Sequence, residues 1–358
     1  MTIHLTLPAV QCAPTTRPDR CPDCGHWHLQ RHGTVRKPLR DQHYTSVLVQ
    51  RYRCVHCRHT FRHYPRGVTA ADHSQRLVAL LAVIWALGLS LRRTALVLSL
   101  LGLPTSFGSV WRAVQTVGAG LRRLPTGSVT VLGVDGTGIR LAGTTAGLLV
   151  AVDMGNGQVL DLVLADERNP ERLVAWLRPL VDIHGIEVLV TDDLASYRVA
   201  AEQLDLERQG CHFHLARWVG RALTDLERHL GDAWRPTLAA VRRIVRERAA
   251  DGDAQLLDSW HTLQDVPHAR AGARTPQARL WLLTPRLSEH WHSYRVAAQR
   301  AHVPTTNNRT EQAIGRLKVR SRTVRGYKSV AGLLHGCTLA GVVGSGQALD
   351  LTLPVTTP

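Results

Sequence analysis

The sequence predicts an α/β protein, and three observations predict it. Apolar, β-branched runs at residues 129–141, 146–152, 158–164 and 187–191 have strand character and alternate with turn signals or helical stretches. Residues 214–302 read as helical almost throughout, with breaks at Gly252, Pro267, Gly272 and Pro285. Two Cys-x2-Cys pairs, Cys21 with Cys24 and Cys54 with Cys57, precede both features. At 358 residues the chain has room for several folding units, and a hydrophobic fraction of 44% excludes a disordered tail. A net charge of +16 points to a polyanionic partner. Arginine supplies nearly all of it, since Lys37, Lys318 and Lys328 are the only lysines. Guanidinium forks suit phosphates and guanine edges.

Taken in order, residues 1–20 form a loose lead-in marked by Pro8, Pro14 and Pro18, with Cys12 a free thiol. Each Cys-x2-Cys turn places two thiolates on one side of a tetrahedron, so Cys21, Cys24, Cys54 and Cys57 predict a closed structural Zn²⁺ site. The span between them would supply the β-hairpins of a zinc ribbon over residues 1–66, and its arginines and histidines would make that ribbon a basic, DNA-contacting surface. Beyond Pro65-Arg66-Gly67, Ser74 caps a helix to about Leu87. Helices over 91–101 and 106–121 follow, separated by the turns at Gly88 and at Gly102-Leu103-Pro104. This is the outline of a helix-turn-helix unit, residues 67–126, whose last helix would enter the major groove. Arg112, Arg122 and Trp111 are its first candidates for DNA contact, with core packing the expected role of the tryptophan.

The turn Leu124-Pro125-Thr126-Gly127 opens the next unit. Asp135 interrupts an apolar strand, where an unpaired carboxylate would cost several kcal/mol, and a carboxylate so placed wants a cation. A hairpin turn at Met154-Gly155-Asn156-Gly157 joins the next two strands. A helix over 169–182, a strand ending at Asp192 and Asp193, a helix over 195–204 and a short strand at 209–213 complete the series. That order, three strands, helix, strand, helix, strand, is the order of a ribonuclease-H-like core. It sets the first and fourth strands side by side and brings Asp135 to Asp192. The core is expected over 127–213 and 303–358, with the helical insertion 214–302 between them. In the second part Glu311 projects from a helix over 310–319, and residues 329–343 pack behind it. Most insertion tryptophans (Trp218, Trp234, Trp260, Trp281, Trp291) are assigned to the core, with one available to stack on an unpaired base. Three carboxylates holding two hard divalent cations are equipment for in-line displacement at phosphorus.

These residues resemble a bacterial insertion-sequence transposase of the DDE type over nearly the whole chain: the ribbon CPDCG with YRCVHCRHTF, the strands LGVDGT and LVTDDLASY, the segment CHFHLARW, and NNRTEQAIGRLKVRSRTVRGYKS. The resemblance implies that Asp135, Asp192 and Glu311 bind two Mg²⁺ or Mn²⁺ ions, with Asp192 chosen over Asp193 because it ends the strand. CHFHLARW resembles the Cys-x2-His element of Mutator-like transposases, here Cys211 and His214, for which a structural hydrogen-bonding role is favoured over half a metal site. It also implies the terminal inverted repeats of an element and target DNA as partners, and a homodimer or higher oligomer on paired ends. Spacing adds to this, because Glu311 and Lys318 lie two helical turns apart on one face. With Arg309, Arg316, Arg320, Arg322 and Arg325 nearby, that helix reads as a polyanion-facing surface.

No secretion signal is expected, because no charged start precedes an apolar core in the first thirty residues. The uncharged runs 77–91 and 329–349 read as packed helices rather than membrane spans. A reducing bacterial cytoplasm, associated with the nucleoid, is the expected setting. Three readings compete with a transposase: a structure-selective nuclease on the same core, a non-catalytic DNA-binding regulator descended from one, and a zinc-ribbon protein serving transcription or RNA processing.

Overall fold

The computed structural model describes residues 4–123, 127–263, 276–352 and 355. The predicted turn residues Leu124, Pro125 and Thr126, the breaks at Pro267 and Gly272, and the side chain of Trp281 lie outside the described residues. Along the chain run β1 (Leu5–Thr6), β2 (Leu29–Pro38), β3 (Ser46–Cys54), β4 (Thr60–His63), α1 (Gln75–Ala86), α2 (Leu91–Leu100) and α3 (Phe107–Leu121). Then come β5 (Val131–Leu141), β6 (Thr144–Asp153), β7 (Val159–Leu164), α4 (Pro170–His184), β8 (Val188–Thr191), α5 (Ala195–Gln203) and β9 (Glu207–Gly210). Helices α6 (His212–Leu230), α7 (Arg235–Glu247), α8 (Gly252–Leu263), α9 (Pro276–Glu289), α10 (Val296–Gln299), α11 (Asn308–Thr323) and α12 (Val330–Val343) follow, and β10 (Leu349–Asp350) is the last strand. Among the described residues, no helix is long and apolar enough to cross a membrane.

The chain divides into two compact units. The first comprises residues 1–125, 139–146 and 315–358. In it β2, β3 and β4 form an antiparallel sheet. The three expected helices follow, each starting at a serine that accepts from a backbone amide: Ser74 from Leu77, Ser90 from Arg93 and Ser106 from Ser109. Ser74 also donates to Asp41 at 2.6 Å, and Arg76 clasps the same carboxylate, so one buried acid ties the start of α1 to the loop after β2. The lead-in is less loose than its prolines suggested. Leu5 and Thr6 pair in parallel with Leu349 and Asp350, and Val10 is buried with Leu39, Val47, Val49 and Val68. Trp111 is 47% exposed on α3, so its expected core role is corrected: it lies on the outer side of that helix.

The second unit, residues 126–138 and 147–314, is built on a five-stranded sheet of order β7-β6-β5-β8-β9. Strands β5 and β8 pair in parallel, Val131 opposite Val188 and Gly133 opposite Val190, so the first and fourth strands of the series are neighbours. One face buries Leu132, Val134, Leu149, Leu189, Leu173, Leu177 and Tyr197 under α4 and α5, while Val131, Val188 and Val190 face Val296 and Val303. Asn169 caps α4 through the Arg172 amide with Pro170 in its first turn, and Gly185, at φ 71°, ends it. The last strand is shifted from its expected position: β9 is Glu207–Gly210, and Cys211 already begins α6. The cause is the stripe Leu215, Val219, Leu223 and Leu226. It buries one side of α6 against α7, α8 and α9, and so draws the chain into a helix as soon as it leaves the sheet.

Candidate active site

Asp135 stands in β5 between two glycines, and each glycine makes room for a different acid. A Cβ at Gly133 would collide with Thr310, Met154 and Asn307, so the bare backbone lets the start of α11 close onto the strand. Asn307 fixes that approach by donating Nδ2 to the Val134 carbonyl at 3.0 Å, and Arg309 donates to the Met154 carbonyl. Glu311 is carried in the first turn of α11. On the other side, a Cβ at Gly136 would strike the carboxylate of Glu167.

The sequence reading missed Glu167. It lies in the connection between β7 and α4, where no periodicity marks it, and the fully buried Tyr197 donates to its Oε2 at 3.5 Å. Ser196 holds the same residue by donating to its carbonyl at 2.6 Å. The only available signal was a glycine directly after the strand aspartate.

Asp192 and Asp193 follow β8 and divide the work that the sequence left ambiguous. Asp193 is saturated with cations: Arg198 at 2.8 Å, Arg286 at 3.0 Å and Arg208 at 3.4 Å. Asp192 accepts the Leu194 amide at 3.3 Å and is turned toward the other acids. Electrostatics register the crowding. Burial, opposed by the Gly136 N–H and reinforced by the charges of Asp192, Glu167 and Glu311, pushes the Asp135 carboxyl up to about 7. Burial likewise raises Asp192 and Glu167, and Asp192 adds its charge to the effect on Glu167.

Cys211 and His214, at the start of α6, adjoin this cluster. The buried Cys211 thiol accepts the Asn307 amide at 3.3 Å. His214 Nε2 lies 3.5 Å from Glu311 Oε1, and that oxygen is buried without a hydrogen-bond partner. A thiol sulfur, a ring nitrogen and a Glu311 oxygen here fall within 4.8 Å of one another. Burial raises Asp135 and Asp192, neighbouring acids add to the effect on Asp135, and Glu311 Oε1 has no hydrogen-bond partner; hard oxygen donors of this kind fit Mg²⁺ or Mn²⁺. Asp135, Asp192 and Glu311 would hold the ions, with Glu167 beside them.

The basic residues predicted around α11 separate into two groups. Lys318, Arg309, Arg322 and Arg325 are exposed, as is Arg112 on α3, which donates to Ser109 at 3.2 Å; Arg316 is half-buried. Arg320 is corrected: it is 2% exposed, its guanidinium lies 3.8 Å from the Trp85 ring centroid, and it donates to the Leu89 carbonyl at 2.9 Å. A cation so enclosed serves the packing of its own unit and is not available to DNA.

The four ribbon cysteines cluster with their sulfurs within 4.8 Å of one another. Sγ–Sγ distances of 3.7 Å for Cys21–Cys57 and 3.6 Å for Cys24–Cys54 match the edge of a tetrahedron with Zn–S bonds of about 2.3 Å. Both turns are built alike. Gly25 and Arg58, at φ 72° and 65°, donate back to the Cys21 and Cys54 carbonyls at 3.0 and 3.1 Å. The amides of Cys57 and His56 are directed at the Cys54 sulfur, as a metal-ligating thiolate needs. The cluster fits a zinc ribbon.

Comparison with known proteins adds two findings. The profile of the family described as "Transposase IS66 family" matches residues 73–333, well over half of the chain and including every acid of the cluster. A comparison with curated proteins gave no match.

Proposed function

Because the chain belongs to the IS66 transposase family, we propose that it is a DNA transposase: it binds the terminal inverted repeats of an insertion sequence, cuts the DNA and transfers the freed strand. What supports this reading is that β5 and β8 are neighbours and that the buried Asp135 feels the charges of Asp192, Glu167 and Glu311. The strand order and the helical insertion support a ribonuclease-H-like core. The serine-capped trio α1–α3 supports a helix-turn-helix unit, and the cysteine cluster a zinc-bearing ribbon. DNA is the partner the family implies; paired ends imply a dimer or larger assembly, and the setting is the bacterial cytoplasm at the nucleoid.

On this reading Asp135, Asp192 and Glu311 would hold a pair of divalent ions, and Glu167 would add its negative charge to the site. When bound, the ions supply positive charge beside the phosphate and favour ionisation of the attacking hydroxyl. The protein's own contribution is placement. Gly133 and Asn307 set Glu311 against β5, and Tyr197 with Ser196 hold Glu167. The three arginines on Asp193 lock the turn that presents Asp192. His214 stands beside Glu311, placed to hydrogen-bond a phosphate oxygen. The exposed Lys318, Arg322 and Arg112 are assigned to the DNA backbone.

The test is cleavage of DNA carrying the element's ends. Asp135→Asn and Glu311→Gln are expected to abolish Mg²⁺-dependent cutting and strand transfer while end binding persists. Cutting retained by Asp135→Asn would remove that residue from the mechanism. Cutting without joining by the unsubstituted protein would reduce the activity to that of a nuclease.

A further inference from the structure

The helical insertion carries a groove of about 960 Å³ between α6 and α9. Among the described residues, four arginines line it, Arg217, Arg221, Arg228 and Arg286, against the single acid Asp225. Trp218 stands in its wall, 39% exposed, with the Arg286 guanidinium 5.3 Å from its ring centroid. A bulky aromatic left in solvent on a helix whose opposite side is fully packed is not explained by the core, which Leu215, Val219 and Leu223 already fill. From this combination of a ring and clustered guanidinium groups we infer that the groove binds unpaired deoxynucleotides, with a base stacked on Trp218 and its phosphates on the arginines. Every base offers a π-face and every nucleotide an anion, so this chemistry takes single strands without regard to sequence.

Two links run from residues lining the groove toward the acids. Along α6, His214, Trp218, Arg221 and Asp225 recur at intervals of four and three residues and share one face, and Trp218 lies about 6 Å further along the axis than His214, which adjoins Glu311. Across the groove, Arg286 pairs with Asp193, the neighbour of Asp192. A strand whose phosphate lay at the acids would therefore run into the groove, so the unpaired nucleotides bound there are those flanking the cut. The inference rests on the transposase reading for that assignment.

The test is binding of a fluorescent single-stranded oligothymidylate and of a blunt duplex to the full-length protein, without Mg²⁺ and at fixed salt. A parallel oligothymidylate carrying 5-iododeoxyuridine serves for photocrosslinking. Trp218→Ala is expected to weaken single-strand binding about tenfold, the equivalent of one base stack of about 1.4 kcal/mol. Trp218→Phe should retain most of the affinity, duplex binding should be unchanged in both, and the crosslink should fall on the peptide containing Trp218. Single-strand binding by Trp218→Ala equal to that of the unsubstituted protein would overturn the inference, as would equal losses for single strand and duplex. Asp135-dependent end cleavage alongside Trp218-independent single-strand binding would sink the groove and leave the transposase reading standing. Trp218-dependent binding by a protein that cuts no DNA would do the reverse.

Discussion

Replacing Asp135 with asparagine should stabilise the protein that lacks divalent ions at its acid cluster, by an amount that grows with pH. Asp135 is raised from an ordinary 3.8 to about 7. Below pH 4 the group is protonated in both folded and unfolded chains, so the favourable contribution of the buried neutral acid is fully present. As pH rises, the unfolded chain ionises first, and that contribution is lost until the folded group also ionises near 7. At about 1.4 kcal/mol for each tenfold change, the whole titration is worth about 4 kcal/mol, of which about 2 kcal/mol falls between pH 5.5 and 8. Asparagine carries no charge and can still accept the Gly136 amide, which lies 2.8 Å from the aspartate oxygen. The assay is the urea midpoint of unfolding, read from deuterium uptake in peptides of β5 and β8. It is run at both pH values with zinc retained and Mg²⁺ and Mn²⁺ withheld. The variant should exceed the unsubstituted protein at pH 8 by more than at pH 5.5, and added Mn²⁺ should reverse the order. A variant that is less stable at pH 8, or a difference that does not change with pH, would refute the burial of Asp135 among other acids on which this reasoning rests.

Other consequences are as direct. Glu311→Gln should take cleavage below detection, a fall of at least about a hundredfold, with end binding intact, measured by gel assay and fluorescence anisotropy on the same DNA. Cys54→Ser should reduce bound zinc, measured by mass spectrometry of the intact protein under native conditions, and expose β2 and β3 to proteolysis while the β5 and β8 peptides stay protected. Arg320→Ala should destabilise the unit that contains it by about 2–3 kcal/mol through loss of the Trp85 contact and the Leu89 bond. Arg322→Ala, at an exposed position, should leave stability within about 0.5 kcal/mol and reduce the salt dependence of DNA binding by about one phosphate contact.

Much of this architecture can be read from residue order because its determinants are local. Asp135 is conspicuous as an acid inside an apolar strand, and the serine caps before α1, α2 and α3 sit one residue ahead of periodic apolar runs. The cysteine pairs announce their geometry through spacing alone. What could not be read depends on partners distant in sequence. Glu167 lies in an aperiodic connection, and only the close approach of Gly136 and Tyr197 gives it meaning. Strand β9, the polar stretch Glu207-Arg208-Gln209-Gly210, has little strand character of its own and is extended because it pairs with β8. The alternation in Cys211-His212-Phe213 imitated a strand where a helix begins. Arg320 looked like one more surface cation, because nothing near it in sequence places Trp85 against its guanidinium. Asp192 and Asp193 are chemically identical, and only the arginines of α5, β9 and α9 distinguish them.

The most direct measurement is anomalous scattering from crystals of the full-length protein soaked in Mn²⁺. Convergent acids predict peaks at the Mn absorption edge bounded by the carboxylates of Asp135, Asp192 and Glu311, and their loss in crystals of Asp135→Asn. Manganese bound only elsewhere on the protein, or unchanged peaks in the variant, would contradict the assignment of this cluster as the catalytic metal site.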